Sequence, residues 1–139
     1  MILLDTNVLS AVMQESPDQV VTDWLDRQPR ESIWITAVTL MEIRFGLLSM
    51  PAGRRRNLLT RATMVLLEEK IQGRIASFDV SAAEQAAELM ALRKAIGRLM
   101  DSRDTMIAGI ALSTRATLAT RNTSYFSDLS VPVVNPWNA

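Results

Sequence analysis

The sequence predicts an α/β fold, a mainly parallel central sheet with helices on both faces. Three observations carry this. Short apolar or β-branched runs recur along the chain ("MILL", "SIWIT", "TLATRN") without the strict alternation of a strand that has one wet face. Between them lie amphipathic stretches long enough for the crossover helix that parallel strands require. No linker, repeat or low-complexity segment interrupts the pattern, so the 139 residues are expected to form one domain, 1–139.

The elements follow in order. "MILL" reads as a short buried strand, and "TNVLSAVMQ" as the helix that begins straight after it. Pro17 suits the first turn of a second helix, with Val20, Val21, Trp24 and Leu25 on one face. "SIWIT" is a second strand, rich in β-branched and aromatic residues. A helix from Ala37 to Met50 ends at "PAG", and another runs from Arg54 to Gln72, closed by Gly73. "RIASFDV" is the third strand, leading into an Ala-rich helix from Ser81 to Ile96 that again ends at glycine. "DSRDTMIAGIALSTRA" is the last helix, "TLATRN" the fourth strand and "VPVVNPW" a short fifth. Ligands of open parallel sheets bind beyond the carboxyl ends of the strands. Asp5 ends the first strand and Asn122 the fourth, so both are expected at that edge.

Composition removes several chemistries. The chain has neither histidine nor cysteine, so it carries no Ser-His-Asp triad, no thiol nucleophile and no ordinary zinc site. An enzyme here must run on carboxylates, on an oxygen-bound metal, or on Lys70 or Lys94, which fall in charge-rich helical stretches and read as solvated. The hydrophobic fraction of 48% with 22% charged residues describes an ordinary globular protein. No apolar run approaches a membrane span and no basic segment opens the chain, so a cytoplasmic protein is expected. Net charge is zero, with 13 arginines against two lysines. Arginine presents a planar fork suited to phosphate and carboxylate. The eight methionines and Trp24, Trp34 and Trp137 read as core or interface packing rather than base-stacking platforms.

Three acids stand in apolar company. Asp5 follows four apolar residues; it either caps the next helix or serves as a ligand. Glu42 lies in "AVTLMEIRFGLL", where Arg44, two positions on, faces elsewhere; Glu42 needs a cation, a shared proton or a distant arginine. Asp104 occupies the third helical position behind the N-cap candidate Asp101, yet it continues the apolar stripe of Ile107, Ala108 and Ala111. Three carboxylates at one sheet edge repel unless a divalent cation intervenes, and hard carboxylate oxygens suit Mg²⁺ or Mn²⁺. Such a cluster fits phosphodiester hydrolysis.

Five blocks, "LLDTNVLS", "ITAVTLMEIRFG", "GRLMDSRDTMIAGIA", "LATRNTSYF" and "VPVVNPW", resemble in order and spacing the PIN-domain toxins of the VapC type, in particular the FitB/StbB-like plasmid-stability branch. The resemblance covers nearly the whole chain and makes residues 1–139 a PIN domain. It implies a Mg²⁺- or Mn²⁺-dependent endoribonuclease, the toxin of a toxin–antitoxin pair. Asp5, Glu42 and Asp104 match the family's acids, with Asp5 and Asp104 implied as metal ligands. Thr6 and Asn7 match the polar residues beside the first acid, where Asn7 is expected to orient Asp5. Where the family generally supplies a fourth acid, this chain has "TRNTSYF". Asn122 and Tyr125 take the two places where that carboxylate would stand, and Asn122 adds no charge; with Glu42 it is expected to arrange the metal through water. Thr120 and Arg121 are expected to border the pocket. Arg44, Arg54, Arg55 and Arg56 are candidates for RNA or partner contact.

The family also implies a homodimer and a cognate antitoxin of the VapB/FitA/StbC-like kind, with DNA bound only through that antitoxin. Three other readings compete. A phosphoacceptor receiver domain needs a late lysine, and none follows Lys94. A haloacid-dehalogenase-type phosphatase needs an acid where Asn7 stands. A PIN fold that binds its antitoxin without cutting RNA is favoured by the neutral Asn122.

Overall fold

Side chains of the first strand divide between two cores. In the computed structural model, which describes residues 1–98 and 101–139, Ile2 and Leu4 point to one face of the sheet and Leu3 to the other. That alternation is the pleat of a strand buried on both sides. The first core gathers Leu4, Val8, Val21, Trp24, Ile35 and Leu47, and the second gathers Leu3, Leu89, Ile107, Ile110, Leu118 and Phe126.

The elements alternate as expected. They are β1 (Ile2–Leu4), α1 (Thr6–Met13), α2 (Gln19–Asp26), β2 (Ile33–Thr36), α3 (Ala37–Ser49), α4 (Arg54–Leu66), β3 (Ile75–Ala76), α5 (Val80–Ala95), α6 (Ser102–Thr114), β4 (Thr117–Ala119) and β5 (Val133–Val134). The sheet order is β3-β2-β1-β4-β5, and every pair is parallel. The chain therefore steps outward from β1 through β2 to β3, then returns to the opposite side of β1 with β4. Between β1 and β4 the winding reverses, and in sheets of this kind the crevice at the reversal is where ligands sit.

Several local expectations need correction. The second helix starts at Gln19, with Asp18 as its cap accepting from the backbone N–H groups of Val20 and Val21; Pro17 stands outside it. Val20 is exposed, and only Val21, Trp24 and Leu25 turn inward, because an eight-residue helix on the surface buries a single stripe. The helix after Gly53 keeps α geometry only to Leu66 and finishes in a π turn, Leu67–Ile71. Gln72 (φ 51°) and Gly73 (φ 77°) then reverse the chain. "RIASFDV" contributes just two strand residues at the sheet edge, and β4 stops at Ala119, so Asn122 lies beyond the strand.

Methionine packing is also less uniform than expected: Met13 is buried, Met41, Met64 and Met90 are exposed, and Met100 lies outside the described residues. Trp24 is buried and Trp34 and Trp137 pack at the core margins, as expected. Lys94 is exposed; Lys70 is half-buried and pairs with Asp26 at 3.0 Å.

Helices α5 and α6 approach closely enough that a side chain at Gly109 has no room. A Cβ there would lie 2.5 Å from the Ala82 carbonyl oxygen and 2.8 Å from the Ala86 Cβ. Alanines on α5 and glycine on α6 thus set the position of α6, whose first turn carries Asp104. Among the described residues no helix is long and apolar enough to cross a membrane.

Candidate active site at the carboxyl edge of the sheet

Asp5 stands one residue past β1, and its backbone N–H continues the ladder by donating to the Ala119 carbonyl at 2.9 Å. It is both a helix cap and a candidate ligand: Oδ1 accepts from the Thr6 backbone N–H at 2.8 Å. Oδ2 takes the Thr120 hydroxyl at 2.7 Å and the Asn7 amide at 3.3 Å. The carboxylate is only 4% exposed, and burial pushes its pKa up, while the donors from Thr120, Thr6 and Asn7 pull the other way. Asn7 therefore does orient Asp5. Its carbonyl oxygen also accepts from the Arg121 backbone N–H at 3.2 Å, and Thr120 accepts from the Asn122 backbone N–H at 3.0 Å. The turn after β4 is thereby tied to the residue after β1.

Glu42 reaches the same edge from α3. Its Oε1 accepts from the Thr6 hydroxyl at 2.9 Å, and Thr6 shares that hydroxyl with Thr39, which in turn meets Thr36. Thr36 and Thr39 are wholly buried, so hydroxyl groups from the end of β2 and the first turn of α3 back up the acid. Arg44 is exposed and does not pair with it. The partner is a distant arginine, Arg103 of α6, whose Nη1 stands 3.7 Å from Glu42 Oε2 and whose Nε stands 3.6 Å from Asp101. The sequence reading missed Arg103, although its place inside "DSRD", between two acids, was the available signal.

Asp104 enters from the first turn of α6, half-buried on the stripe of Ile107, Ala108 and Ala111. Asp101 caps that helix, accepting from the backbone N–H groups of Arg103 and Asp104. The Asp104 carboxyl is pushed up to about 6, first by burial and then by the charges of Asp5, Asp101 and Glu42, with Arg103 opposing. The acids expected to share one edge therefore do feel one another.

Asn122 is exposed beside Thr120, and its side chain does not enter the hydrogen-bonded network around Asp5. The basic candidates scatter. Arg54 and Arg55 lie exposed on the first turn of α4, whereas Arg56 donates to the Met50 carbonyl at 3.3 Å and closes the end of α3. Arg44 and Arg56 line one side of a separate hollow with Leu47 and Ala52. Arg121 alone among these candidates adjoins the acids. A groove lined by Thr6, Ser10, Glu42, Gly46, Leu59 and Arg103, among others, opens beside them.

The donor set is hard oxygen throughout: carboxylates backed by hydroxyls, with no nitrogen or sulfur ligand type in the chain. This chemistry fits Mg²⁺ or Mn²⁺, since a divalent cation would relieve the repulsion that lifts Asp104. Among the described residues, however, no three acids are gathered tightly enough to enclose an ion as they stand. The arrangement is an open pair, Asp5 and Asp104, with Glu42 held back by Thr6 and Arg103.

Known proteins share this architecture. The PIN domain family model matches residues 2–131. Relatives of nearly the same length include the VapC ribonuclease Y4jK of Sinorhizobium fredii, 38% identical over 99% of this chain and 98% of the relative. The plasmid stability protein StbB of Pseudomonas syringae pv. tomato is 38% identical over all of both chains. The toxin FitB of Neisseria gonorrhoeae is 34% identical over 99% of each. Among solved structures, one of FitAB bound to an IR36 DNA fragment superposes with a TM-score of 0.88 at 36% identity, covering 99% of this chain and 96% of that one.

Proposed function

This chain belongs to the PIN-domain family, and on that premise we propose that it is a divalent-metal-dependent endoribonuclease, the cytoplasmic toxin of a type II toxin–antitoxin pair. The observation that carries the reading is the convergence of Asp5, Glu42 and Asp104 at the winding reversal, with Asp104 raised to about 6 by burial first and by its acidic neighbours next. A repulsive cluster destabilises the fold it sits in, and the chain keeps it at the edge where substrates bind.

Asp5 and Asp104 would hold the cation, and when bound it would supply Lewis-acid activation of water and neutralise charge developing on the phosphodiester. The chain's own residues do the rest. Thr120, Asn7 and the Thr6 backbone N–H lock the Asp5 carboxylate in one orientation. Thr6 and Arg103 grip the two oxygens of Glu42 from opposite sides.

An antitoxin as partner is supported by the likeness to the FitAB complex, and DNA would be reached through that partner. A homodimer is supported by the exposed apolar stripe Met41, Phe45 and Leu48 on α3.

A second reading, a PIN fold that binds its antitoxin without cutting RNA, is favoured by one feature: Asn122 stands neutral and exposed where a fourth acid belongs. The deciding experiment incubates purified protein with total RNA in Mn²⁺ or EDTA, beside Asp5→Asn and Asn122→Asp. Metal-dependent fragments that vanish with Asp5→Asn establish the ribonuclease. A silent wild type with an active Asn122→Asp establishes the second reading.

A further inference from the structure

The end of the chain returns to the site and carries an aromatic ring there. After β5, Asn135 Oδ1 accepts from the Trp137 backbone N–H at 2.9 Å, a turn that presents the indole. The indole Nε1 donates to Asp18 Oδ2 at 3.0 Å, while Asp18 Oδ1 caps α2. That indole contact, first among several, holds the half-buried Asp18 carboxyl below its usual range. The ring also packs against the first core, so both its edge and one flank are fixed. Over the ring lies the Arg121 guanidinium, its central carbon 4.6 Å from the ring centroid. A cation over an indole at this range is attracted by the ring's quadrupole.

Arg121 is the residue between Thr120, which donates to Asp5, and Asn122. Its own backbone N–H is bound by Asn7, the other side chain on Asp5. Its backbone is thus one side chain removed from the candidate catalytic carboxylate. The guanidinium is exposed, and among the described residues no acid lies within ion-pair distance of it, Asp18 attracting it only at longer range. A flat cation, supported from beneath, with its N–H fork left for solvent, is arranged to take a phosphate.

We propose that Arg121 anchors a backbone phosphate of the RNA strand beside the one to be cut, and that Trp137 is the positioning residue that holds the guanidinium in place. The inference rests on the ribonuclease reading above and adds the group that registers the strand against Asp5. Trp137 then serves two ends, core margin and support for a cation, without stacking on a base.

Two readouts keep the inference and the reading apart. Affinity of the full chain for a short labelled single-stranded RNA is measured in EDTA across a salt series, and cleavage kinetics are measured in Mn²⁺. Arg121→Ala is expected to weaken binding about tenfold and to lower the salt slope by about one. Trp137→Ala is expected to weaken it about threefold and Trp137→Phe, which keeps an aromatic face, less than twofold. In cleavage these losses appear in KM with kcat unchanged, and thermal melts confirm folded protein. Wild-type affinity and slope in Arg121→Ala overturn the proposal. So does equal damage from Trp137→Ala and Trp137→Phe, which would make the ring face irrelevant. If the wild type binds but does not cut, the ribonuclease reading fails and the affinities alone judge Arg121.

Discussion

Two regions of this molecule gather charged side chains against the core, and they handle the charge in opposite ways. On the α5 side, Arg93 is 1% exposed and grips Asp128 through Nε at 2.6 Å, while its Nη2 also donates to the Tyr125 carbonyl at 2.8 Å. Arg98 adds a second cation, 3.2 Å from Asp128. Hydrogen bonding from Arg93 holds the Asp128 carboxyl below its usual range. At the sheet edge, Asp104 is half-buried and faces Asp5, Asp101 and Glu42 with Arg103 opposing them, and burial followed by those charges lifts its carboxyl to about 6. One region is paired, with the buried Arg93 Nη1 left without a hydrogen-bond partner among the described residues; the other is chemically unfinished. A compensated charge marks architecture, and an uncompensated cluster marks a place that awaits something from outside.

The comparison is most easily broken at Arg93. Arg93→Met removes the buried cation and frees the turn after β4, leaving Asp128 to the solvent, and should cost about 1–3 kcal/mol in urea unfolding. A loss below about 1 kcal/mol would mean that Asp128 is solvated rather than held. Gly109→Ala tests the support beneath the other region: it should cost about 1–3 kcal/mol, since the Ala82 carbonyl is backbone and must move. It should also impair cleavage by displacing Asp104, a loss to be read from single-turnover rates.

Metal should complete the unfinished region. At ten times its dissociation constant, Mg²⁺ or Mn²⁺ should stabilise the wild type by about 1.4 kcal/mol, measured as a rise in melting temperature. Asp5→Asn and Asp104→Asn should lose that rise, whereas Arg93→Met should keep it.

Asp104→Asn should act in the other direction on the metal-free protein, stabilising it at pH 7 by about 1 kcal/mol, a figure reduced for solvent screening, while abolishing cleavage. Its pH signature is smaller still. The folded protein holds the Asp104 proton up to about pH 6, whereas the unfolded chain releases it near its ordinary value of 3.8. Folded protein therefore binds more protons across that window, and metal-free stability falls as pH rises through it. The slope should flatten in Asp104→Asn; an unchanged slope would place the raised carboxyl elsewhere.

Much of this was legible in the chain. Runs such as "MILL" and "TLATRN" show strands because both faces of a parallel sheet are apolar, and Asp5, Glu42 and Asp104 stand out because charge is rare in such company. What escaped was whatever depends on pairing across distance. Arg103 sits among acids in sequence, but its reach to Glu42 follows from how α6 packs beside α3. Arg93 belongs to a stretch rich in charges and reads as one more solvated cation; only the return of the chain past β4 buries it. Trp137 reads as packing because nothing local announces that Arg121 lies over it. Val20 and Pro17 were misread for a different reason: short surface helices give too few turns for periodicity to settle their face or start.

The hydrogen bond from Thr120 to Asp5 joins residues 115 positions apart. It exists only once β4 has been synthesised and has docked beside β1, and closing so long a loop is among the slower and entropically costlier events of folding. During translation the three acids are present as chemistry long before they are held as a site. A chain cut short ahead of β4 would carry Asp5, Glu42 and Asp104 and still lack the Thr120 hydroxyl that holds Asp5. The winding order of the sheet thus sets a sequence of events: the acids come first along the chain, and the contact that fixes Asp5 follows them.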